Sequence, residues 1–412
     1  MNSNETGKNI IVIGAGASGM MASIIASRNG NKVVLLEKLS SIGTKLKATG
    51  GGRCNLTNTL PKDIFMQHFG RDGRFMTDAL NAFNNENLKE FFLSIGVETD
   101  APDGFRVFPI GHSAKTILNA LQKEMDNIGV EIYFNQSVKN INIENNIKIV
   151  STSSHEFKAE KIVIATGGLG YPKLGAEGDG FRLARNMGHK ITPLYPAMMP
   201  LQTKESWVSR CRADTIPKVE MRVNIKKYKK LFAKGDLIFT TNGIRGPVVL
   251  DFSREITPIL DQLGEVPLVM NLTKGLNEED IRRKFNFNIL NKPDMLVIDL
   301  VQTLLPHSIA LALCDEVNAD PNITFKKLSG IVRDSLISIL AWTPLTIVGH
   351  NGFDMAMITR GGVSLKDIDP KTMQSRIING VYFCGEVVNL DGPCGGYNLQ
   401  WAFSSGFLAG VK

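Results

Sequence analysis

Four short, continuous apolar runs punctuate the chain: residues 10–13 (IIVI), 33–36 (VVLL), 162–165 (IVIA) and 381–384 (VYFC). Runs of this length and continuity predict strands of a parallel sheet buried on both faces. Between the first two, small and apolar residues to about Ser27 predict a helix. Gly178, Asp179 and Gly180 open another, with Phe181, Leu183, Ala184 and Met187 apolar. A third starts at Tyr397 and places Leu399, Ala402, Phe403, Phe407 and Leu408 on apolar faces. The middle of the chain has a different pattern. From about Thr192 it carries strand-like runs with turns, as in MRVNIKKYKKLFAKGDLIFTTNGIRG, and residues 277–340 are mainly helical.

The chemistry sits at the C-terminal end of each apolar run. After the first, Gly14, Gly16 and Gly19 fit G-x-G-x-x-G, with Ala17 and Ser18 starting the helix. Gly14 permits the tight turn, Gly16 lets backbone approach a pyrophosphate, and Gly19 allows close helix–strand packing. The helix N-terminus offers N–H groups and a positive dipole end to phosphate. Glu37 ends the second run, eighteen residues past Gly19, where a carboxylate can accept from a ribose diol. An acid there favours NAD or FAD over NADP.

The other runs decide between the two dinucleotides. Residues 162–165 lead into Thr166, Gly167 and Gly168, an Ala-Thr-Gly strand end that recurs in FAD enzymes of the glutathione-reductase class. Residues 381–384 lead into Gly385 and Glu386, then a loop through Asp391 to Gly396. One site assembled from such distant segments fits FAD, which is too long for a single β-α-β unit. A helix N-terminus over residues 395–399, with Tyr397, Asn398 and Leu399, would stabilise the negative charge of reduced flavin. Lys38 and Val138 are counted with this cofactor set. No second G-x-G-x-x-G is visible for NADH or NADPH, which stand as candidate electron donors without a Rossmann domain of their own.

Composition narrows the picture modestly. Hydrophobic content of 43% and charged content of 21% are those of an ordinary globular protein. No apolar stretch approaches the ~18–20 residues of a membrane span. The polar start, MNSNETGKN, lacks a signal-peptide core, so a cytoplasmic protein without a membrane partner is expected. Cys54, Cys211, Cys314, Cys384 and Cys394 are few and scattered, without C-x-x-C; neither a disulfide framework nor a metal site is expected. The formal charge of +7 favours anionic ligands. Part of it lies in KVEMRVNIKKYKKLFAKGD from Lys218, which reads first as a solvated hairpin tip and second as a nucleic-acid patch.

ATGGGRCNLTN, residues 48–58, is the least ordinary stretch. Gly50, Gly51 and Gly52 let backbone pass close to a cofactor. Lys45 and Arg53 can face phosphate or the pyrimidine edge of a flavin. Asn55 and Asn58 can hydrogen-bond ring or backbone groups. Cys54 is expected as a small packing residue on this lining, with a redox pair to Cys394 as the lesser alternative.

GAGASG, LLEK, GGGRCNLTN, RVFP, ATGG, YP with GDG, GIRGPVVL, GGVSL and CGEVVNLDGPCGGYNLQWAFSSG occur in order along the chain. Together they resemble the BaiN-like or aminoacetone-oxidase-like NAD(P)/FAD-dependent flavoproteins of bacteria and archaea. The resemblance implies an α/β fold: a Rossmann-type, glutathione-reductase-like FAD domain in two parts, with an inserted β-barrel-like domain and a small helical domain. The boundaries expected are 1–191, 192–276, 277–341, 342–356 and 357–412. It also implies an FAD-dependent oxidoreductase, expected as a reductase of a small unsaturated, enone-like molecule. Amine oxidation and action on tRNA or other RNA are the alternatives. The flavin carries the hydride step. Tyr171, Tyr397, Arg360 and His350 are candidate proton donors, and Arg245 is a candidate clamp for an anionic group.

Overall fold

The computed structural model describes residues 9–411; the polar N-terminal stretch through residue 8 lies outside them. Two compact units divide the chain, one of residues 1–196 and 356–412, the other of residues 197–355.

The first unit is built on a five-stranded parallel sheet in the order Val381–Phe383, Lys161–Ile164, Asn9–Ile13, Lys32–Leu36, Glu131–Tyr133. Ile13 pairs with both Leu36 and Ile164, and Ile164 with Phe383. All four apolar runs therefore end at one edge, which delivers Gly14, Glu37, Thr166 and Gly385 to the same place. The first strand sits where the strand order reverses, the position at which doubly wound sheets bind ligands.

Helix Ala17–Arg28 is buried along most of its length and lies against the C-terminal helix Tyr397–Val411. Small residues set their spacing. A Cβ on Gly406 would overlap the Ser18 carbonyl oxygen, and one on Gly410 would reach 2.6 Å from that of Ala22. Aromatic rings close the other side of the C-terminal helix: Phe83 stacks on Phe407 at 4.5 Å and Phe92 meets Phe403 edge-on at 5.5 Å.

The second unit contains a closed antiparallel barrel, ordered Leu201–Thr203, Gly243–Arg245, Phe232–Phe239, Thr215–Val223, Val266–Asn271, Thr343–His350. Helices Glu278–Asn291, Val297–Gln302, His307–Glu316 and Gly330–Ala341 stand between its last two strands in sequence. The long helix Pro247–Leu263 was not expected from the sequence. Its opening Pro-Val-Val-Leu looks strand-like by propensity, and Pro258 lies inside it. Pro247 at the first helical position is favourable, however, and Phe252, Ile256 and Leu260 form a buried face. No helix among the described residues is long and apolar enough to cross a membrane.

One buried histidine leads to an expected pH dependence of the first unit's stability. His189 is buried against Phe383, with Nδ1 3.1 Å from the Ala184 carbonyl and Nε2 2.7 Å from Ser375 Oγ. Ser375 Oγ already accepts from the N–H groups of Ile377 and Ile378, which leaves its proton to donate to Nε2. The ring is thus neutral with its proton on Nδ1. Burial lowers its pKa below the ordinary 6.5, against the opposing pull of the Ala184 carbonyl and Asp367. A depressed histidine stabilises the fold above the unfolded value and loses that contribution as pH falls below it. Melting temperature should therefore drop between pH 7 and pH 5 more steeply in the wild type than in His189→Gln. Parallel curves would contradict this assignment.

Candidate active site

The three glycines of the first motif take three different jobs. Gly14 has φ +102°, and a Cβ there would come 2.7 Å from the Ala165 carbonyl oxygen. A Cβ on Gly19 would overlap the Gly14 carbonyl oxygen, so helix and strand touch through backbone. Gly16 has an ordinary extended conformation and nothing within 4 Å of its Cβ position. The protein's own packing does not require a glycine here, and the empty space leaves room for a ligand. The helix that begins here has no side-chain cap and no acidic residue in its first turn, although Ala17 and Ser18 are buried. Buried, uncapped helix N–H groups call for an acceptor, and a pyrophosphate is one.

Glu37 is 9% exposed, and its two oxygens accept from the N–H groups of Ala15 and Leu39, each at 2.8 Å. That grip fixes the carboxylate beside the glycine turn with lone pairs still available for hydroxyls. Lys38 is already engaged, with Nζ at 2.7 Å from Glu177 and 2.8 Å from Asp179. Burial works against its charge, but the two carboxylates more than compensate and raise its pKa. Val138 is buried, and its carbonyl accepts from Arg182 Nη2 at 3.0 Å.

The second and third motifs meet through Gly168. A Cβ there would overlap Thr359 Oγ1 and come 2.5 Å from Glu386 Oε1. Glu386 accepts from the Thr359 N–H at 2.9 Å and pairs with Lys45 at 2.8 Å. Gly167 is left-handed, with open space around its Cβ position, and the Thr166 hydroxyl is buried without a partner among the described residues. Gly385 has φ +74° and abuts the Ser18 hydroxyl, while its N–H donates to Ser405 Oγ at 2.9 Å. Ser18 lies beside Gly406 and Ala22 beside Gly410, so the two helices run in the same direction. The N-terminus of the last helix therefore stands roughly 12 Å beyond that of the first along the shared direction. Two parallel helix N-termini, offset along their axes, suit a cofactor with a phosphate at one end and an electron-accepting ring at the other.

The glycine-rich loop is clamped to the entry of the last helix. Gly50, Gly51 and Gly52 are all left-handed, at φ +58°, +67° and +87°. With its amide oriented to satisfy both sides, Asn55 donates to the Thr57 carbonyl at 2.9 Å and accepts from the Gly396 N–H at 3.0 Å. Asn58 donates to the Gly395 carbonyl at 2.9 Å, and a Cβ on Gly396 would overlap the Thr57 backbone. Asn398 folds back on its own loop, accepting from the Gly392 N–H and donating to its carbonyl, both at 2.8 Å. Asp391 and Leu399 are half-buried in the same segment. Across the loop, Thr57 pairs with Val107 of strand Arg106–Pro109, which ties GGGRCN to RVFP.

These features match known proteins along the whole chain. A family model described as the HI0933-like protein Rossmann domain matches residues 8–412. The chain belongs to the HI0933-like family. It is 31% identical over 403 residues to a 3-dehydro-bile acid delta(4,6)-reductase of Clostridium scindens, covering 97% of both chains. It is 27% identical over 409 residues to a ribosomal RNA dihydrouridine synthase of Haemophilus influenzae, covering 98% of this chain and 97% of that one. The fold resembles the crystal structure of 3-ketosteroid delta1-dehydrogenase from Sterolibacterium denitrificans, at TM-score 0.52 and 12% identity over 98% of this chain and 99% of the other. The protein is an FAD-dependent oxidoreductase of Rossmann type. The open space at Gly16, the uncapped helix and the orphaned Thr166 hydroxyl fit FAD in this unit.

This HI0933-like chain distributes its remaining candidates unevenly. Tyr171 lies in the first unit, half-buried, with φ +57° immediately before Pro172. Arg360, also half-buried there, ends strand Ile358–Arg360. Tyr397 is 3% exposed, with Phe65 and His68 each 4.8 Å from its ring. Arg245 and His350 belong to the second unit. Arg245 is exposed at the end of strand Gly243–Arg245, and His350 accepts from the Gly352 N–H at 3.0 Å. Burial lowers the His350 pKa, against the opposing charge of Asp261. Phe108 and Gln400 were not singled out by sequence reasoning. Gln400 is a structural post: it and Ser404 donate to the Phe83 carbonyl at 3.2 and 2.6 Å. RVFP was the signal available for Phe108.

Cys54 sits in the core as a packing residue. It is fully buried, and burial pushes its pKa up to about 12 despite a hydrogen bond with Thr49. Cys384 is likewise pushed up to about 12 by burial. Native protein at pH 8 should leave Cys54 unlabelled by iodoacetamide, and Cys54→Ser should keep turnover within about twofold, since reactivity follows the thiolate. Rapid labelling of Cys54 would overturn this.

Proposed function

We propose that the protein reduces a carbon–carbon double bond conjugated to a carbonyl in a small molecule, with NADH or NADPH as the electron source. The observation that carries this reading is the conjunction of residues that fit FAD with 31% identity, over 97% of both chains, to a protein named as a 3-dehydro-bile acid delta(4,6)-reductase. Bound FAD supplies the hydride transfer. The chain's residues supply the rest. Gly16 and the first helix receive the pyrophosphate, and Glu37 holds the ribose diol. Glu386, fixed by Lys45 and Thr359, braces the Gly168 turn beside the cofactor. The N-terminus of helix Tyr397–Val411 favours negative charge beside it. Tyr171, held in the left-handed region before a proline, is the first candidate to deliver a proton to the α carbon.

The test begins with purification. A yellow protein releasing FAD on denaturation is expected, reduced anaerobically by NADH or NADPH and reoxidised by a 3-oxo-4-ene steroid or a simpler enone. Failure of every carbonyl-conjugated alkene to reoxidise the reduced protein would overturn the reading.

A second reading, an RNA substrate, is favoured by one observation. Lys226, Lys227, Lys229 and Lys230 are all exposed on a turn braced by Tyr228, whose hydroxyl donates to Gln262 at 3.4 Å. The nearby Arg222 and Lys234 are neutralised by Glu220, but no carboxylate pairs with these four lysines among the described residues. Uridine also contains a carbonyl-conjugated double bond, so the chemistry would be shared. Binding of ribosomal RNA that weakens steeply with salt, together with dihydrouridine formation, would support this reading; salt-insensitive or absent binding would remove it.

A further inference from the structure

The cations around the first unit's site are almost all ion-paired. Lys38 meets Glu177 and Asp179, Lys45 meets Glu386, and Arg106 meets Asp103 at 2.6 Å. Arg53 is held without a carboxylate among the described residues. Its Nε donates to the Gly50 carbonyl at 3.1 Å, and its guanidinium carbon lies 5.4 Å from the centre of the Phe108 ring. Its terminal nitrogens carry no carboxylate partner among the described residues. The side chain is exposed and yet held at two points. Phe108 is itself fixed: it is 3% exposed, stands in a strand paired to the loop, and stacks on His112 at 5.1 Å.

The surface beside Arg53 is bare. A Cβ on Gly51 or Gly52 would meet nothing within 4 Å. Consecutive left-handed glycines are entropically unfavourable in a folded chain, and here they leave exposed backbone next to a braced guanidinium with unused donors. That combination suits a flat, carbonyl-bearing ligand.

We infer that Arg53, braced on Phe108, receives the carbonyl oxygen of the substrate as hydride adds to the conjugated double bond. The inference rests on the double-bond reduction proposed above. A hydride, two electrons and one proton from reduced flavin, forms a C–H bond at the β carbon. The π pair of the double bond shifts toward the carbonyl, whose oxygen becomes an enolate oxyanion. A proton then joins the α carbon, the C=O bond reforms, and the saturated ketone leaves. Charge develops on the oxygen only during the reaction. Two parallel N–H donors from a fixed guanidinium therefore stabilise the transition state more than the ground state.

The experiment uses the holoenzyme and its Arg53→Gln, Arg53→Lys and Phe108→Leu variants. Three quantities are measured: the flavin midpoint potential, affinity for para-nitrophenolate as an unreactive enolate mimic, and the rate at which an enone reoxidises reduced enzyme. Arg53→Gln should bind FAD and keep the wild-type potential, weaken nitrophenolate binding at least about tenfold, and slow reoxidation by about 10²–10³-fold, as loss of an oxyanion donor does. Arg53→Lys and Phe108→Leu should fall between it and the wild type, the first because it keeps charge without the fork, the second because it loosens the brace. A shifted flavin potential with unchanged nitrophenolate affinity would assign Arg53 to the flavin and overturn the inference. Unchanged reoxidation in Arg53→Gln would overturn it as well. A wild type that binds nitrophenolate through Arg53 but reduces no conjugated alkene would overturn the proposed reaction and leave the oxyanion site standing.

Discussion

Gly16→Ala should purify as a folded, colourless protein. The backbone at Gly16, φ −79° and ψ −175°, is open to alanine, and the added methyl meets nothing within 4 Å. The stability of the apoprotein should stay within about 0.5 kcal/mol of wild type, as for an uncrowded surface substitution. The same methyl would stand where a pyrophosphate must approach the helix N-terminus. Crowding a close-packed contact costs about 1–3 kcal/mol, which weakens FAD binding about 5- to 150-fold. Gly19→Ala should behave differently. Its methyl overlaps the Gly14 carbonyl oxygen, so helix and strand must separate, and the fold should lose on the order of 3 kcal/mol or more. Melting curves with and without added FAD distinguish the two variants, because only a protein that binds the cofactor is stabilised by it. Wild-type FAD affinity in Gly16→Ala would mean that the pyrophosphate does not lie at this cradle.

Gly396→Ala should damage both fold and flavin binding. Gly396 has φ +86°, and its Cβ would overlap the Thr57 backbone. Its N–H also donates to Asn55, so a forced shift opens the clamp between the glycine-rich loop and the last helix. Left-handed strain of about 1–2 kcal/mol adds to the overlap, giving a loss on the order of 3 kcal/mol. Gly51→Ala is the control: it is also left-handed, at φ +67°, but its Cβ position is empty, so only the strain should register. The expected result is a low-melting, poorly flavinated Gly396→Ala beside a Gly51→Ala that folds and loses only the strain contribution in melting temperature. Equal melting temperatures for the two would contradict the close approach of the loop and the helix entry.

Both predictions turn on features of different legibility. The turn at Gly14 and the helix–strand contact at Gly19 were legible from spacing alone, since each requires a missing side chain at a fixed offset. The four apolar runs likewise announced a buried parallel sheet, and their order along the chain placed Glu37, Thr166 and Gly385 at strand ends. The basic hairpin tip and the helical stretch from residue 277 were also visible as changes of pattern. Helix Pro247–Leu263 was hidden because its β-branched opening and internal proline disguise an amphipathic face.

The amino-acid sequence by itself determined which residues could turn, bury or carry charge, because backbone freedom, apolar periodicity and functional groups are local properties. It thereby settled the fold class and the family. The tertiary structure alone decided which of those residues meet. Lys45 and Glu386 are 341 positions apart, as are Asn55 and Gly396; Arg53 and Phe108 come from separate segments. Nothing in the local chemistry of a lysine or arginine says whether a carboxylate will be packed against it. That depends on strands paired across the sheet and on helices brought together through Gly406 and Gly410. The same packing that neutralised Lys38 and Lys45 left Arg53 braced and without a counter-charge, which sets this arginine apart from its neighbours.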